Sequence, residues 1–210
     1  PFAAELEKID RTPSPDIVVP GEATPWLVFD CRTNASYAAV FALLKDKAEV
    51  HRSKGKIIGS GFEAAPGSFI VKNTPAVQKA LPALLEKLRL SVHPLAEADA
   101  LPKSVLKNPR IGLYQSWWSS QDEGWTRYMF DDLGVPYTTL HNADFKAPKA
   151  GKAKEPAKVD LKARFDVIVF AGEPYDLIKT GKVDPSSPWA RWFSPLPPEY
   201  EGGLEKEGID

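Results

Sequence analysis

The chain has 210 residues, enough for one large α/β domain or two small ones. Hydrophobic residues make up 43% and aromatic residues 10%, a globular composition. With 27 basic against 28 acidic residues the net charge is −1, which excludes an overall field that recruits nucleic acid or an anionic membrane. No apolar run reaches the roughly 18 residues that a membrane-spanning helix needs.

The opening Pro1-Phe-Ala-Ala-Glu5 has neither the basic start nor the apolar stretch of a signal peptide. It also lacks Met, so the chain is expected to be a processed product or a piece of a longer one. One cysteine, Cys31, rules out an internal disulfide and a Cys-based zinc site, and leaves the compartment open.

Residues 1–25 are rich in Pro and charge and predict an extended lead-in. A first α/β unit spans 26–106. Trp26–Asp30 reads as a short buried strand, Cys31–Asn34 as a polar turn, and a helix follows from about Ala35, with Tyr37, Val40, Phe41, Leu44 and Ala48 at helical spacing. Glu49–Arg52 is the next strand. Glycines between Ile57-Ile58 and Phe69-Ile-Val71 predict a hairpin over 55–72. Thr74-Pro75 opens a helix, with Thr as N-cap and Pro at the first helical position. Val77, Leu81, Leu84, Leu85 and Leu88 form its apolar stripe, and Pro82 is placed to kink it or delay its start. Leu90–Pro94 leaves as a strand, and 96–109 is a connector.

A second unit spans 107–210. Ile111–Gln115 is a strand, Ser116–Gly124 a polar and aromatic loop, and Ser120 with Glu123 matches a capping box that starts a helix. Trp125, Met129 and Leu133 are its expected inner face, Gly134 its left-handed end, and Val135–Leu140 the next strand. Lys146–Lys162 has no apolar period and predicts a solvated loop, since no stacking aromatics interleave with its lysines. Phe165–Ala171 reads as the clearest buried strand. A Pro/Trp-rich tail with Trp189 and Trp192 follows.

Trp26–Arg52 and Arg110–Leu140 share one pattern: strand, polar turn, helix, strand. Such alternation predicts an α/β fold with a mainly parallel sheet and helices on both faces. Ligands in such sheets bind beyond the carboxyl ends of the strands, which here carry Asp30–Asn34, Ser116–Glu123 and Gly172-Glu173.

No complete catalytic set emerges. There is no His-Glu-x-x-His, and the three histidines, His51, His93 and His141, sit at predicted strand ends. His141-Asn-Ala-Asp144 lacks a second histidine nearby. Cys31 sits at a strand-to-helix turn, where nucleophiles occur, but lacks flanking glycines, so a structural thiol is preferred. Gly59-Ser-Gly61 and Gly202-Gly203 do not follow a strand and open a helix as phosphate loops do. The anomaly is the Ser116–Arg127 segment, whose tryptophans either pack on protein or, in the second reading, border a small ligand.

At this segment the chain resembles a known family. Ile111–Arg127, then Pro136–Leu140 and Asp144, is similar to the C-terminal region of large bacterial zinc carboxypeptidase-like proteins of the carboxypeptidase A superfamily. Asp30-Cys-Arg-Thr-Asn-Ala-Ser-Tyr37 resembles an upstream block, and Pro197-Pro-Glu-Tyr-Glu-Gly-Gly-Leu204 a downstream block. The match covers most of 26–204 in order. It implies a class I glutamine amidotransferase-like, flavodoxin-like fold acting as one accessory domain beside an N-terminal peptidase domain of the same parent. It implies zinc for that parent only, with no cofactor in this chain, and a sheet left incomplete or finished by another segment. Secretion or a periplasmic location is implied for the parent alone. No position here matches the zinc ligands, the catalytic glutamate or a glycine-flanked amidotransferase cysteine. The resulting expectation is a non-catalytic accessory domain that supports the peptidase or helps recognise substrate. The alternatives are a small-molecule or glycan-binding module and a degenerate amidotransferase-like hydrolase. The candidate ligand or partner surface is Asp30, Arg32 and Asn34 with Ser116, Trp117, Ser119, Asp122, Glu123, Trp125 and Arg127; nucleic acid and membrane are not expected partners.

Overall fold

The computed structural model describes residues 8, 17–146, 159–188, 190–194 and 196–209. Most of the expected lead-in over 1–25 and of the Lys-rich loop over 146–162 therefore lies outside the described residues, as does Trp189 of the tail. The chain divides into two compact units, Pro1–Asn108 and Pro109–Asp210.

In the first unit, strand β1 (Trp26–Phe29) carries three consecutive fully buried residues, Leu27, Val28 and Phe29. A strand buried on both faces needs such a run. Thr33 caps helix α1 (Asn34–Lys45), its Oγ1 accepting the Ser36 N–H at 3.4 Å. Next come β2 (Val50–Ser53), β3 (Ile57–Gly59), β4 (Phe62–Ala64) and β5 (Phe69–Lys72). Helix α2 (Pro75–Leu88) begins at the Thr74 cap, with Pro75 in the first turn, and runs on through the exposed Pro82. Strands β6 (His93–Leu95) and β7 (Lys103–Val105) complete the unit.

The five-stranded sheet has the order β6-β1-β5-β2-β7, and every pairing in it is antiparallel. β1 and β2 run the same way, but β5 lies between them, paired through Leu27↔Val71 and Val50↔Val71. This is the split β-α-β plan of ferredoxin-like units. The expected parallel pairing and helices on both faces therefore fail here. Leu27, Phe29, Val50 and Val71 pack with Val40, Leu43, Val77, Leu81 and Leu85, so both helices share one face. The other face, Val28 and Ile70, is covered by Ile57 and Ala64 of the β3–β4 hairpin and by Leu95 and Ala98. Fully burying each Leu, Ile, Val or Phe side chain contributes about 1.5–3 kcal/mol. The expected hairpin also changes partner: Ile57 pairs with Ala64, and β5 enters the main sheet instead. β7 falls within what the sequence suggests is a connector.

In the second unit, β8 (Ile111–Tyr114) is buried throughout and central. Helix α3 (Gln121–Leu133) returns the chain to β9 (Tyr137–Leu140). The short α4 (Leu161–Arg164) precedes β10 (Val167–Phe170), and α5 (Tyr175–Thr180) and α6 (Glu205–Ile209) follow. All pairings in the three-stranded sheet are parallel, in the order β10-β8-β9. Tyr114 and Leu140 pack under Phe145 and Leu204, with Ile168 and Ile178 beside them.

Two burial expectations are overturned. β10 is an edge strand among the described residues, with Val167 44% and Phe170 40% exposed, because its apolar run has a partner on one side only. α3 does not bury Trp125 and Met129. Its inward stripe is Glu123, Thr126, Arg127, Phe130 and Leu133, and Glu123 is the buried member. No helix among the described residues is long and apolar enough to cross a membrane.

Candidate functional site

The carboxyl ends of β8, β9 and β10 lie side by side because the three strands are parallel and in register, Tyr114 beside both Leu140 and Phe170. The chain leaves β8 for α3 and β9 on one side, then crosses to β10 on the other, so β8 is a topological switch point. The segments after these strands bring together Gln115 to Trp118, His141-Asn142 and Gly172-Glu173.

Ser116 is buried and its hydroxyl sits 2.7 Å from Glu173 Oε1 and 3.2 Å from the Trp118 carbonyl. Among the described residues Glu173 Oε2 is buried without a hydrogen-bond partner. Burial pushes the Glu173 carboxyl above the ordinary glutamate range, the Glu123 charge adds to this, and the Ser116 hydrogen bond opposes it. Gly172, at φ 64°, lies so close to Asp122 that a methyl group there would overlap the Asp122 carboxylate. The start of α3 thus leans on the end of β10.

Ser120 caps α3, its Oγ accepting the Glu123 N–H at 3.2 Å. Only this half of the expected capping box forms. The Glu123 carboxylate turns instead to Arg127, whose Nη2 is 2.5 Å from Oε1. Arg127 also donates to Thr139 Oγ1 at 2.9 Å and to Tyr137 Oη at 3.3 Å on β9. Every arm of this guanidinium is therefore spent inside the unit, and it is not a free anion receptor.

The three tryptophans of the segment part ways. Trp118 donates Nε1–H to the Gly181 carbonyl at 2.9 Å, meets Phe193 edge to face at 5.2 Å, and lines a pocket of about 400 Å³ with Val183, Pro185 and Leu196. Trp117 stacks on His141 at 4.2 Å and 6° and also meets Tyr200, yet remains 42% exposed. Trp125 is free of the core, with Tyr128 its one ring contact among the described residues, at 5.9 Å. Ser119 and Asp122 are exposed.

His141 and Asn142 have structural duties. His141 Nδ1 lies 2.8 Å from the Gln115 carbonyl, which can only accept, so Nδ1 carries the proton. The His141 N–H donates to Asp144 Oδ2 at 2.9 Å, which accounts for the His-x-x-Asp spacing as a turn cap. Tyr114 Oη donates to Asn142 Oδ1 at 2.6 Å, and Asn142 Nδ2 to the Gly202 carbonyl at 2.7 Å. Burial pushes the Tyr114 hydroxyl well above the ordinary phenol range. Glu173 follows the last strand of the parallel set, the strand end where the sequence places it, although it is not among the candidate surface residues.

Asp30, Arg32 and Asn34 lie in the other unit, at the end of β1. Asp30 accepts the Arg32 backbone N–H at 2.9 Å and its guanidinium Nη2 at 2.6 Å. That pairing holds the Asp30 carboxyl below its ordinary range. Asn34 is the exposed first residue of α1. Cys31 is half-buried; its Sγ sits 3.5 Å from the Pro66 carbonyl and its N–H donates to Ser68 Oγ.

The site thus defines an α/β unit with a parallel three-stranded sheet whose strand-end residues are tied to one another. Compared with known proteins, the chain matches no family model, no curated protein and no solved structure.

Proposed function

We propose that this chain is a non-catalytic accessory module of a zinc carboxypeptidase-like parent, acting by supporting the peptidase domain or its substrate recognition. The observation that carries the reading is the inward use of the polar groups in the Ser116–Arg127 segment. Ser116 bonds one oxygen of Glu173, and Glu123 and Arg127 bond each other and, through Arg127, Thr139, while the same segment turns Trp125 to solvent. A segment organised this way offers contact area rather than reactive groups. The order β10-β8-β9, with the first strand central, is also the order of the first three strands of a flavodoxin-like sheet. We take the second unit as the part of the chain that corresponds to the amidotransferase-like fold of that family. The test is twofold. The reading frame that encodes the chain is expected to encode a zinc-peptidase domain upstream. The chain alone, with added zinc, is expected to release no C-terminal residue from peptides. Zinc-dependent release by the chain itself would refute the reading.

A second reading has its own observation. Trp117, His141 and Tyr200 form a half-exposed aromatic surface at the strand ends. Such a surface suits a small ligand with a flat apolar face, a sugar ring among them. Titration of the chain with neutral oligosaccharides, followed by tryptophan fluorescence, would favour this reading if a saturable change disappears in Trp117→Ala.

A further inference from the structure

Helix α3 has its chemistry reversed. Its buried side carries the Glu123–Arg127 pair, and its open side carries Trp125 (62% exposed), Tyr128 (62%) and Met129 (45%). These three lie at i, i+3 and i+4 and so form one stripe, which Asp132 continues at i+7. Trp125 and Tyr128 meet edge to face at 5.9 Å, so each ring limits the other's freedom. An isolated exposed apolar residue needs no explanation, but a cluster of two aromatics and a methionine on one helix face does.

The exposed charged side chains of α3 have one sign. Asp122 and Asp132 lie on its open side, Asp131, also exposed, accepts the Tyr137 hydroxyl at 2.9 Å, and the helix's one base, Arg127, is turned inward onto Glu123. We propose that the Trp125–Tyr128–Met129 face of α3 is a protein-docking face, and that its partner is a protein groove with an apolar floor and a rim of lysine or arginine. Anchors at i, i+3 and i+4 are how a helix seats in an apolar groove. Trp and Tyr are the residues that carry most energy at such contacts, and acidic flanks select a basic rim. The same aspartates argue against other occupants. An anionic lipid surface would be repelled. A second copy docked through a twofold axis would set acidic stripe against acidic stripe. The inference rests on the accessory reading above and adds the face used and the chemistry that meets it.

The test places the photo-crosslinking residue p-benzoylphenylalanine at position 128, and separately at position 170 on the exposed β10 edge. The full chain is used, in the cells that naturally make it. The expected result is one discrete adduct from position 128, mapped by mass spectrometry to an apolar groove rimmed by Lys or Arg. Asp132→Lys should weaken that adduct about fivefold while circular dichroism and Tm stay unchanged. An adduct to a second copy or to lipid, an adduct indifferent to charge reversal, or no adduct from position 128 overturns the proposal. An adduct from position 170 alone would leave the accessory reading standing and refute the face; silence at both positions would count against both.

Discussion

Glu123 and Arg127 pair one helical turn apart on the buried side of α3, and through Arg127 the pair ties the helix to Thr139 and Tyr137 of β9. Glu123 is only 4% exposed, so its charge is tolerated because the Arg127 guanidinium pairs with it. Removing one partner strands the other. Arg127→Ala is expected to destabilise the second unit by about 3 kcal/mol in denaturant unfolding. The double variant Glu123→Leu, Arg127→Met should recover most of that loss, because neither charge is then left buried. A single variant that unfolds like the parent would show that the pair contributes nothing.

The tryptophans should separate cleanly in the same measurement. Trp118 is held by a hydrogen bond to Gly181 and an edge contact with Phe193. Trp118→Ala should therefore cost about 2 kcal/mol, from lost packing and an orphaned carbonyl. Trp125→Ala removes a mostly exposed ring and should change stability by less than about 0.5 kcal/mol. Equal losses at both positions would mean that α3 carries its aromatic face against something within the chain.

These residues also mark where sequence reasoning holds and where it stops. Caps are legible because they are local: Thr74 and Ser120 each sit where their helix begins. The parallel pairing of β8 with β9 is legible because α3 is the crossover that joins adjacent strands. The same pattern misleads in the first unit, since nothing local in Trp26–Arg52 announces that β5 will insert between β1 and β2. α3 misleads for a different reason. Its apolar period points outward, and the inward stripe is chosen by the Glu123–Arg127–Thr139 network, which depends on a strand distant in sequence. β10 reads as buried because its four residues are apolar, yet burial needs neighbours on both sides.

Gly134 and Gly181 offer a controlled comparison. Both hold nearly the same left-handed backbone, φ 67° and 68°, at the ends of α3 and α5. A methyl group at Gly134 would enter open space, whereas at Gly181 it would meet the backbone of Gly202. Gly134→Ala should therefore cost about 1 kcal/mol, the penalty of a left-handed L residue. Gly181→Ala adds a clash with main chain that cannot rotate away, and is expected to cost about 3 kcal/mol or more. Matching losses would mean that the α5 end yields to the substitution.

Glu173 gives the fold a pH dependence whose sign can be worked out. Its carboxyl titrates above the ordinary glutamate range because burial disfavours the charged form. Below the ordinary range both folded and unfolded chains hold the proton, and the stability contribution is full. As pH rises, the unfolded chain gives up its proton first, so stability falls until the folded carboxyl has titrated too. Glu173→Gln keeps an oxygen for the Ser116 hydroxyl and removes the titration. In thermal unfolding followed from about pH 4 to pH 8, the variant should track the parent at the acid end and gain a few degrees over it toward the alkaline end. A Tm difference that does not change across this range would show that Glu173 titrates as an ordinary carboxylate and that its buried Oε2 imposes no penalty. A variant that loses stability as pH rises would reverse the assignment, making the charged carboxylate the form that the Ser116 hydroxyl and its surroundings stabilise.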